Sequence, residues 1–403
     1  MTKPQIAGVD SPGAWIVCSA AFLAAFVAFG VSYSFGVFLK PMMLTFGTSH
    51  AVMSTLFSAL TVLSFFLSPV TGDLADRYGP ARMVAAGAVL LAAGLILTAH
   101  VHFFPLLYLT YGTGVGVAVA CIYIPSIAAV GGWFKLHRSI ALGLTVSGIG
   151  CGTLVAAPVA GILIEKYDWR TAMELYGWVS LALLLPCAAL IAKPPREAGN
   201  KGANIRQELR TRGFAILYLS RMLSGIAIYV SYVFLPAFAV DIGASHVAAA
   251  SLVGYVGASS IVGRLGMNAL APRFGQMATY RIAILMLLIS FGIWLSAHSY
   301  AGLVAFTLVM GVGYGGTVAM TPVVAASMFG TEGLGELLGF LYTSLGVACM
   351  IGPPWAGVLV DHTNNYKWPV VTAIVASFFA LVVAMRRPAA SSRTDSTALK
   401  ETA

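Results

Sequence analysis

Residues 74–79 read LADRYG and residues 270–275 read LAPRFG. The two hexapeptides differ at two positions, and aligning them puts Pro272 196 residues after Asp76. A second pair keeps the interval: PVAGILIE (158–165) is echoed by PWAGVLVD (354–361), with Gly357 196 residues after Gly161. In a third, GVGVAVACIYIP (114–125) against GVGYGGTVAMTP (311–322), Pro322 follows Pro125 by 197. Three echoes in chain order at one interval mark an internal duplication of about half the chain.

Composition says where the duplicated unit lives. The 403 residues are 59% hydrophobic and 9% charged, with a mean hydropathy of +0.88. That leaves too few polar side chains to coat a water-soluble globule of this size. About 20 apolar residues match a hydrocarbon core roughly 30 Å thick. Twelve such segments can be drawn, at 14–39, 51–71, 82–100, 104–132, 139–164, 172–192, 213–237, 248–270, 277–297, 301–329, 336–360 and 367–386. Six spans per repeat return the chain to its starting side, so the two halves share one orientation. Parallel halves around a midplane site are a plan of secondary transporters. The expected fold is an all-α membrane protein of twelve transmembrane helices in two pseudo-symmetric six-helix halves. The N-terminal half is 1–192, the polar, basic stretch KPPREAGNKGANIRQELRTRG (193–213) links it to the C-terminal half at 214–386, and 387–403 form a tail.

The basic residues orient this arrangement. With a cytoplasmic N-terminus, seventeen Lys or Arg fall in inner loops and tails, and four (Lys40, Lys166, Arg170, Lys367) fall outside. That is the positive-inside bias, so both termini are expected in the cytoplasm. The net charge of +9 then reads as a topology signal and as contact with anionic lipid headgroups, not as a nucleic-acid surface. The polar opening MTKPQIAGVDSPG runs directly into a full-length span and is not read as a cleaved leader. Five cysteines (18, 121, 151, 187, 349) stand singly in apolar segments, which fits small buried hydrophobes rather than disulfides or zinc ligands. There is no HExxH, GxSxG or His/Cys cluster. No enzyme, metal or cofactor is expected, and a monomer is.

Two stretches carry a family resemblance. GDLADRYGPAR (72–82) resembles the signature between the second and third helices of the major facilitator superfamily, with Gly72, Leu74, Asp76, Arg77, Gly79 and Arg82 in register. WFKLHRSIALGLTVSGIGCG (133–152) resembles the fifth-helix signature of the monocarboxylate transporter and oxalate:formate antiporter group, with departures at His137 and Ile140. DSPGAWIV (10–17) is similar to the motif that precedes that group's first helix. The resemblance implies the superfamily fold and transport by alternating access, and it points toward bacterial lactate/proton symporters of the inner membrane. Asp73, Asp76 and Arg77 read as a latch at the cytoplasmic mouth, whose contacts break when that mouth opens.

One charge lies in the interior of a span without an evident partner. Arg264, in SIVGRLG, falls inside the eighth span, where an arginine costs about 2.5–3.5 kcal/mol. All fourteen acidic residues fall in tails, loops or span ends, so the counter-ion is expected from the substrate. A guanidinium offers a two-pronged donor set matched to a carboxylate, and the resemblance likewise implies an eighth-helix arginine at the site. Tyr33, Tyr123, Tyr314 and Tyr342 can turn hydroxyls toward a cavity. Arg221, eight residues from the end of its span, reads as snorkelling to the interface, and Lys40 as snorkelling at the outer surface.

Oxalate-handling relatives carry a lysine on the eleventh helix. Here GELLGFLYTSLGVACMIGPPWAGVLV (335–360) has no basic residue, so monocarboxylates such as L-lactate or pyruvate are the expected cargo. The group's animal members have an aspartate four residues before the arginine, where this chain has Ser260. Proton coupling is therefore assigned to the Arg264 and Ser260 neighbourhood, with the anion itself supplying basicity. An organic-anion antiporter of the oxalate/formate type is the alternative. A cation exporter is disfavoured, because no membrane-embedded acid is visible.

Overall fold

The computed structural model describes residues 10–194, 208–330 and 334–386. The expected 193–213 linker is mostly, and the 387–403 tail wholly, outside the described residues. Those described are almost entirely helical, with no strand among them. The helices are α1 (Pro12–Phe46), α2 (His50–Phe66 continuing as Ser68–Tyr78), α3 (Pro80–His100), α4 (Tyr108–Trp133), α5 (Arg138–Lys166) and α6 (Trp169–Leu190). After them come α7 (Arg212–Asp241), α8 (His246–Phe274), α9 (Gln276–Ser296), α10 (Tyr300–Phe329), α11 (Leu334–Thr363) and α12 (Lys367–Met385). The two pieces of α2 meet at 48° beside Pro69, which has no N–H to give. Backbone bonds from Leu67 to Leu63 and from Thr71 to Leu67 carry the ladder through the bend, so α2 is one broken span and the described spans number twelve. An even number of crossings puts the start of α1 and the end of α12 on one face, the terminal side.

The repeated hexapeptides end in glycine for a physical reason. Gly79 closes α2 and Gly275 closes α8 at φ +92° and +85°, a region that penalises a Cβ. Each donates its N–H to the residue four back, Ala75 and Ala271, at 2.9 Å. The next helix starts at once. Side-chain caps start others: Ser49, Asp168, Thr211, Ser245 and Ser299 each accept an N–H from the first turn.

Helices α1, α4, α7 and α10 converge on the centre. Across the halves α2 packs on α11 and α5 on α8, while α3, α6, α9 and α12 pack within their own halves. Small residues permit the α5–α8 crossing, and the neighbours show how tightly. A Cβ added at Gly257 would stand 2.5 Å from the Gly150 carbonyl, and one at Gly161 2.8 Å from Ala250 Cβ.

The two stretches nearest the group's signatures meet on the terminal side. The Asp10 carboxylate accepts backbone N–H groups from Lys135, Leu136 and His137 at 3.2, 3.0 and 3.3 Å. Asp10 donates its own N–H to the Trp133 carbonyl at 3.0 Å, and Trp15 packs edge-on against Phe134 at 4.9 Å. The entry to α1 is thereby tied to the loop that starts α5.

Two outcomes follow. Gly257→Val forces α5 and α8 apart and should destabilise the protein by about 1–3 kcal/mol in detergent unfolding; an unchanged transition would rule out tight packing at this crossing. Asp10 is held below the ordinary carboxylate value of 3.8, chiefly by the Leu136 N–H. Its stabilisation is therefore full above pH 3.8 and lost as pH falls through the lower folded value. Asp10→Ala should lower the melting temperature at pH 7, with the gap closing below pH 3.8; a gap that ignores pH would show that the carboxylate charge does not matter.

Candidate functional site

Helix α8 sorts its side chains sharply. Val262 and Leu265 are 62% and 68% exposed on the lipid-facing surface, whereas Arg264 between them is 4% exposed. The guanidinium therefore turns into the protein. Its Nη1 donates to the Val146 carbonyl on α5 at 2.6 Å, and its Cζ stands 5.9 Å from the centre of the Tyr314 ring. Nε and Nη2 are buried with no hydrogen-bond partner. No carboxylate among the described residues forms an ion pair with it.

Arg221 does not snorkel. It is 1% exposed, and its Nη1 donates to Thr317 Oγ1 on α10 at 3.0 Å, with Nε left unpaired. The reason is direction: the face of α7 that carries Arg221 also carries Gly225 and Tyr229 of the cavity lining, so the side chain turns inward to α10 instead of along the helix to its end. Lys40 also departs from the expected snorkelling, pairing with Asp241 of α7.

Four expected tyrosines come together. Tyr33, Tyr123, Tyr314 and Tyr342 line one central cavity with Arg221, Tyr229, Phe29 and Phe65. Tyr33 stacks on Tyr232 at 4.4 Å, and Tyr314 donates its hydroxyl to that of Tyr33 at 3.5 Å. The space open to a water molecule's centre is about 30 Å³, room for about two waters. The site is narrow, with Tyr33 and Tyr314 buried and Tyr123 and Tyr342 half-buried. Sequence reading missed Arg221, Tyr229 and Tyr232. The signal was present: Arg221, Gly225, Tyr229 and Tyr232 recur at helical spacing along one face of α7.

Other expected residues lie elsewhere. The Ser260 hydroxyl donates to the Gly257 carbonyl of its own helix at 2.7 Å. Arg77 pairs with Asp73 one turn away at 2.9 Å, both well exposed, and Lys193 donates to the Asp76 carbonyl at 2.7 Å. These partners all belong to the same half. Among the described residues no group of His, Cys, Asp or Glu could hold a metal.

The far side is locked across the halves. Asp361 on α11 accepts the N–H groups of His50 and Ala51, the first residues of α2, both at 2.9 Å, and His50 Nδ1 lies 2.9 Å from the same carboxylate. A carboxylate on a helix N-terminus meets the positive end of the dipole, which is worth about 0.3–1 kcal/mol or more when partly buried. Tyr366 reaches His50 Nε2 at 3.3 Å, and the Lys40–Asp241 pair joins α1 to α7 beside it. Helices α4 and α10 do not pack closely on each other.

Two six-helix halves, bonded to each other on one face around a narrow, cationic and aromatic cavity, define a membrane transporter. The Major Facilitator Superfamily model matches residues 21–299 and 217–402. Monocarboxylate transporter 13 of Bos taurus is 30% identical over 374 residues, covering 90% of this chain and 87% of that one. Monocarboxylate transporter 3 of Rattus norvegicus is 28% identical, covering 89% and 76%. In fold the chain is similar to a bacterial homologue of the human lysosomal transporter Spinster in its inward-facing, occupied conformation. The TM-score is 0.72 at 15% identity, over 93% of this chain and 96% of that one. The chain belongs to the major facilitator superfamily and, within it, to the monocarboxylate transporter group.

Asp361→Asn removes the charge that ties α11 to α2. Spin labels at Leu44 and Ile242, exposed on opposite halves, should then show a longer distance population in pulsed dipolar measurements. A distribution identical to the wild type's would mean that the contact does not hold the far side closed.

Proposed function

We propose that this protein carries small monocarboxylates of the L-lactate and pyruvate class together with a proton, by alternating access. The membrane in this reading is a bacterial inner membrane, with both termini cytoplasmic, and the far side faces outward. The observation that carries the reading is Arg264: a deeply buried guanidinium beside the cavity residue Tyr314, whose Nε and Nη2 have no partner and with which no carboxylate among the described residues pairs. A substrate carboxylate satisfies both donors at once and neutralises the charge. The names of the relatives support the carboxylate as cargo.

Each other residue has a part. Tyr33, Tyr123, Tyr314 and Tyr342 offer hydroxyls to the carboxylate and ring faces to the alkyl end. Asp73, Asp76 and Arg77 work the cytoplasmic mouth, while Lys40–Asp241 and Asp361 with the start of α2 close the outer one. The proton travels with the anion beside Arg264, next to Ser260, so no dedicated buried acid is needed. The protein acts as a monomer, needs no cofactor, and touches lipid alone besides its cargo.

Uptake of labelled L-lactate into proteoliposomes tests this. An inward proton gradient should drive accumulation in the wild type, and Arg264→Gln should reduce it at least about tenfold, since removing one partner of a buried charged pair costs about 2–5 kcal/mol. Uptake indifferent to the gradient would remove the symport, a requirement for internal counter-substrate would make the protein an exchanger, and undiminished uptake in the variant would make Arg264 structural.

A further inference from the structure

The cavity is lined by a cation that the carboxylate on Arg264 does not neutralise. Arg221, 1% exposed, is the bulkiest fully buried side chain, and it faces the same space as Tyr229, Tyr314 and Tyr342. Its guanidinium has five N–H donors. One is used, on the neutral hydroxyl of Thr317, which itself donates to the Tyr314 carbonyl at 2.8 Å. Nε is buried without a partner, and no carboxylate among the described residues pairs with it. A buried guanidinium that serves packing alone is paired or saturated, because an uncompensated buried charge is expensive.

The charge is also one-sided. Arg221 lines the cavity from α7, and Arg264 on α8 adjoins it, 5.9 Å from the ring of the lining residue Tyr314, while α1 and α4 contribute Phe29, Tyr33 and Tyr123. One half supplies two cations and the other an aromatic wall. A cargo with one negative charge leaves one cation uncompensated in the occluded state; a cargo with two leaves none. Helix α11 has no basic residue over 337–360, and α7 supplies the second cation in its place.

We propose that Arg221 is a second anion anchor and that the site takes a short dicarboxylate more tightly than a monocarboxylate. One carboxylate lies on Arg264 and the other on Arg221. This rests on the reading that Arg264 holds a carboxylate, and it extends the cargo beyond lactate and pyruvate.

Competition and binding separate the possibilities. At pH 7, unlabelled succinate or malonate should half-inhibit L-lactate uptake at a concentration at least tenfold below that of propionate. Arg221→Gln should bring that ratio close to one by weakening succinate far more than propionate, and Arg221→Lys, which keeps the charge, should retain part of it. A wild-type ratio of one, or a ratio untouched by Arg221→Gln, overturns the proposal. Should the variants not fold, or lactate not be carried, thermal stabilisation of the purified wild type by succinate and by propionate decides. A larger shift with succinate supports the second anchor. Equal shifts overturn it alone, and no shift with either acid overturns it together with the carboxylate reading of Arg264.

Discussion

Two guanidinium groups inside a hydrocarbon-embedded protein, with no carboxylate among the described residues to neutralise them, set the terms for the rest of the molecule. Arg264 keeps one bond to a carbonyl and Arg221 one to a hydroxyl, far fewer than their donors allow. Exposure to lipid is ruled out by the insertion penalty, so both must face a cavity, and the cavity must be closed to the bilayer. The close α5–α8 and α8–α10 crossings provide that closure. A Cβ at Gly315 would stand 1.9 Å from the Ser260 carbonyl, which shows how near the α8 and α10 backbones approach beside the buried charge. Small residues here serve the electrostatics: they let helices seal around a cation that no protein anion balances.

The duplication explains where the hinges of this arrangement lie. Both repeats turn through a left-handed glycine after the same hexapeptide, Gly79 and Gly275, so each half carries the same tight connection at the same place on the terminal side. The halves differ in their charges. Arg77 in the first copy pairs with Asp73, while the second copy replaces Asp76 by Pro272, which can carry no charge. Inter-half bonding is concentrated on the far side, where Asp361 caps the start of α2 and Lys40 meets Asp241. Polar bonds between the halves of this kind are the contacts that alternating access by the proposed mechanism must break.

Much of this was legible in the sequence, for reasons that are physical. A bilayer fixes helix length, so twelve apolar runs could be located to within about seven residues, and an arginine inside such a run, Arg264, is indeed turned into the protein. Arg221 was misread because its distance from the edge of an apolar run was taken as its depth. What decides is the face of the helix: Arg221 shares it with Gly225 and Tyr229 and turns inward to Thr317. The far-side lock was illegible because His50 and Asp361, or Lys40 and Asp241, lie 311 and 201 residues apart, and neither pair has a local pattern. Asp10 and the 135–137 loop stood in two motifs, but only the folded chain brings the carboxylate onto those N–H groups.

The central claim is that the counter-charge for Arg264 arrives with the cargo. A structure of the protein with L-lactate bound tests it most directly. The account predicts a carboxylate oxygen within about 2.7–3.2 Å of Nε or Nη2 of Arg264, with the lactate enclosed by Tyr33, Tyr123, Tyr314 and Tyr342. Lactate bound away from the cavity, with those two nitrogens still unpaired, would contradict it.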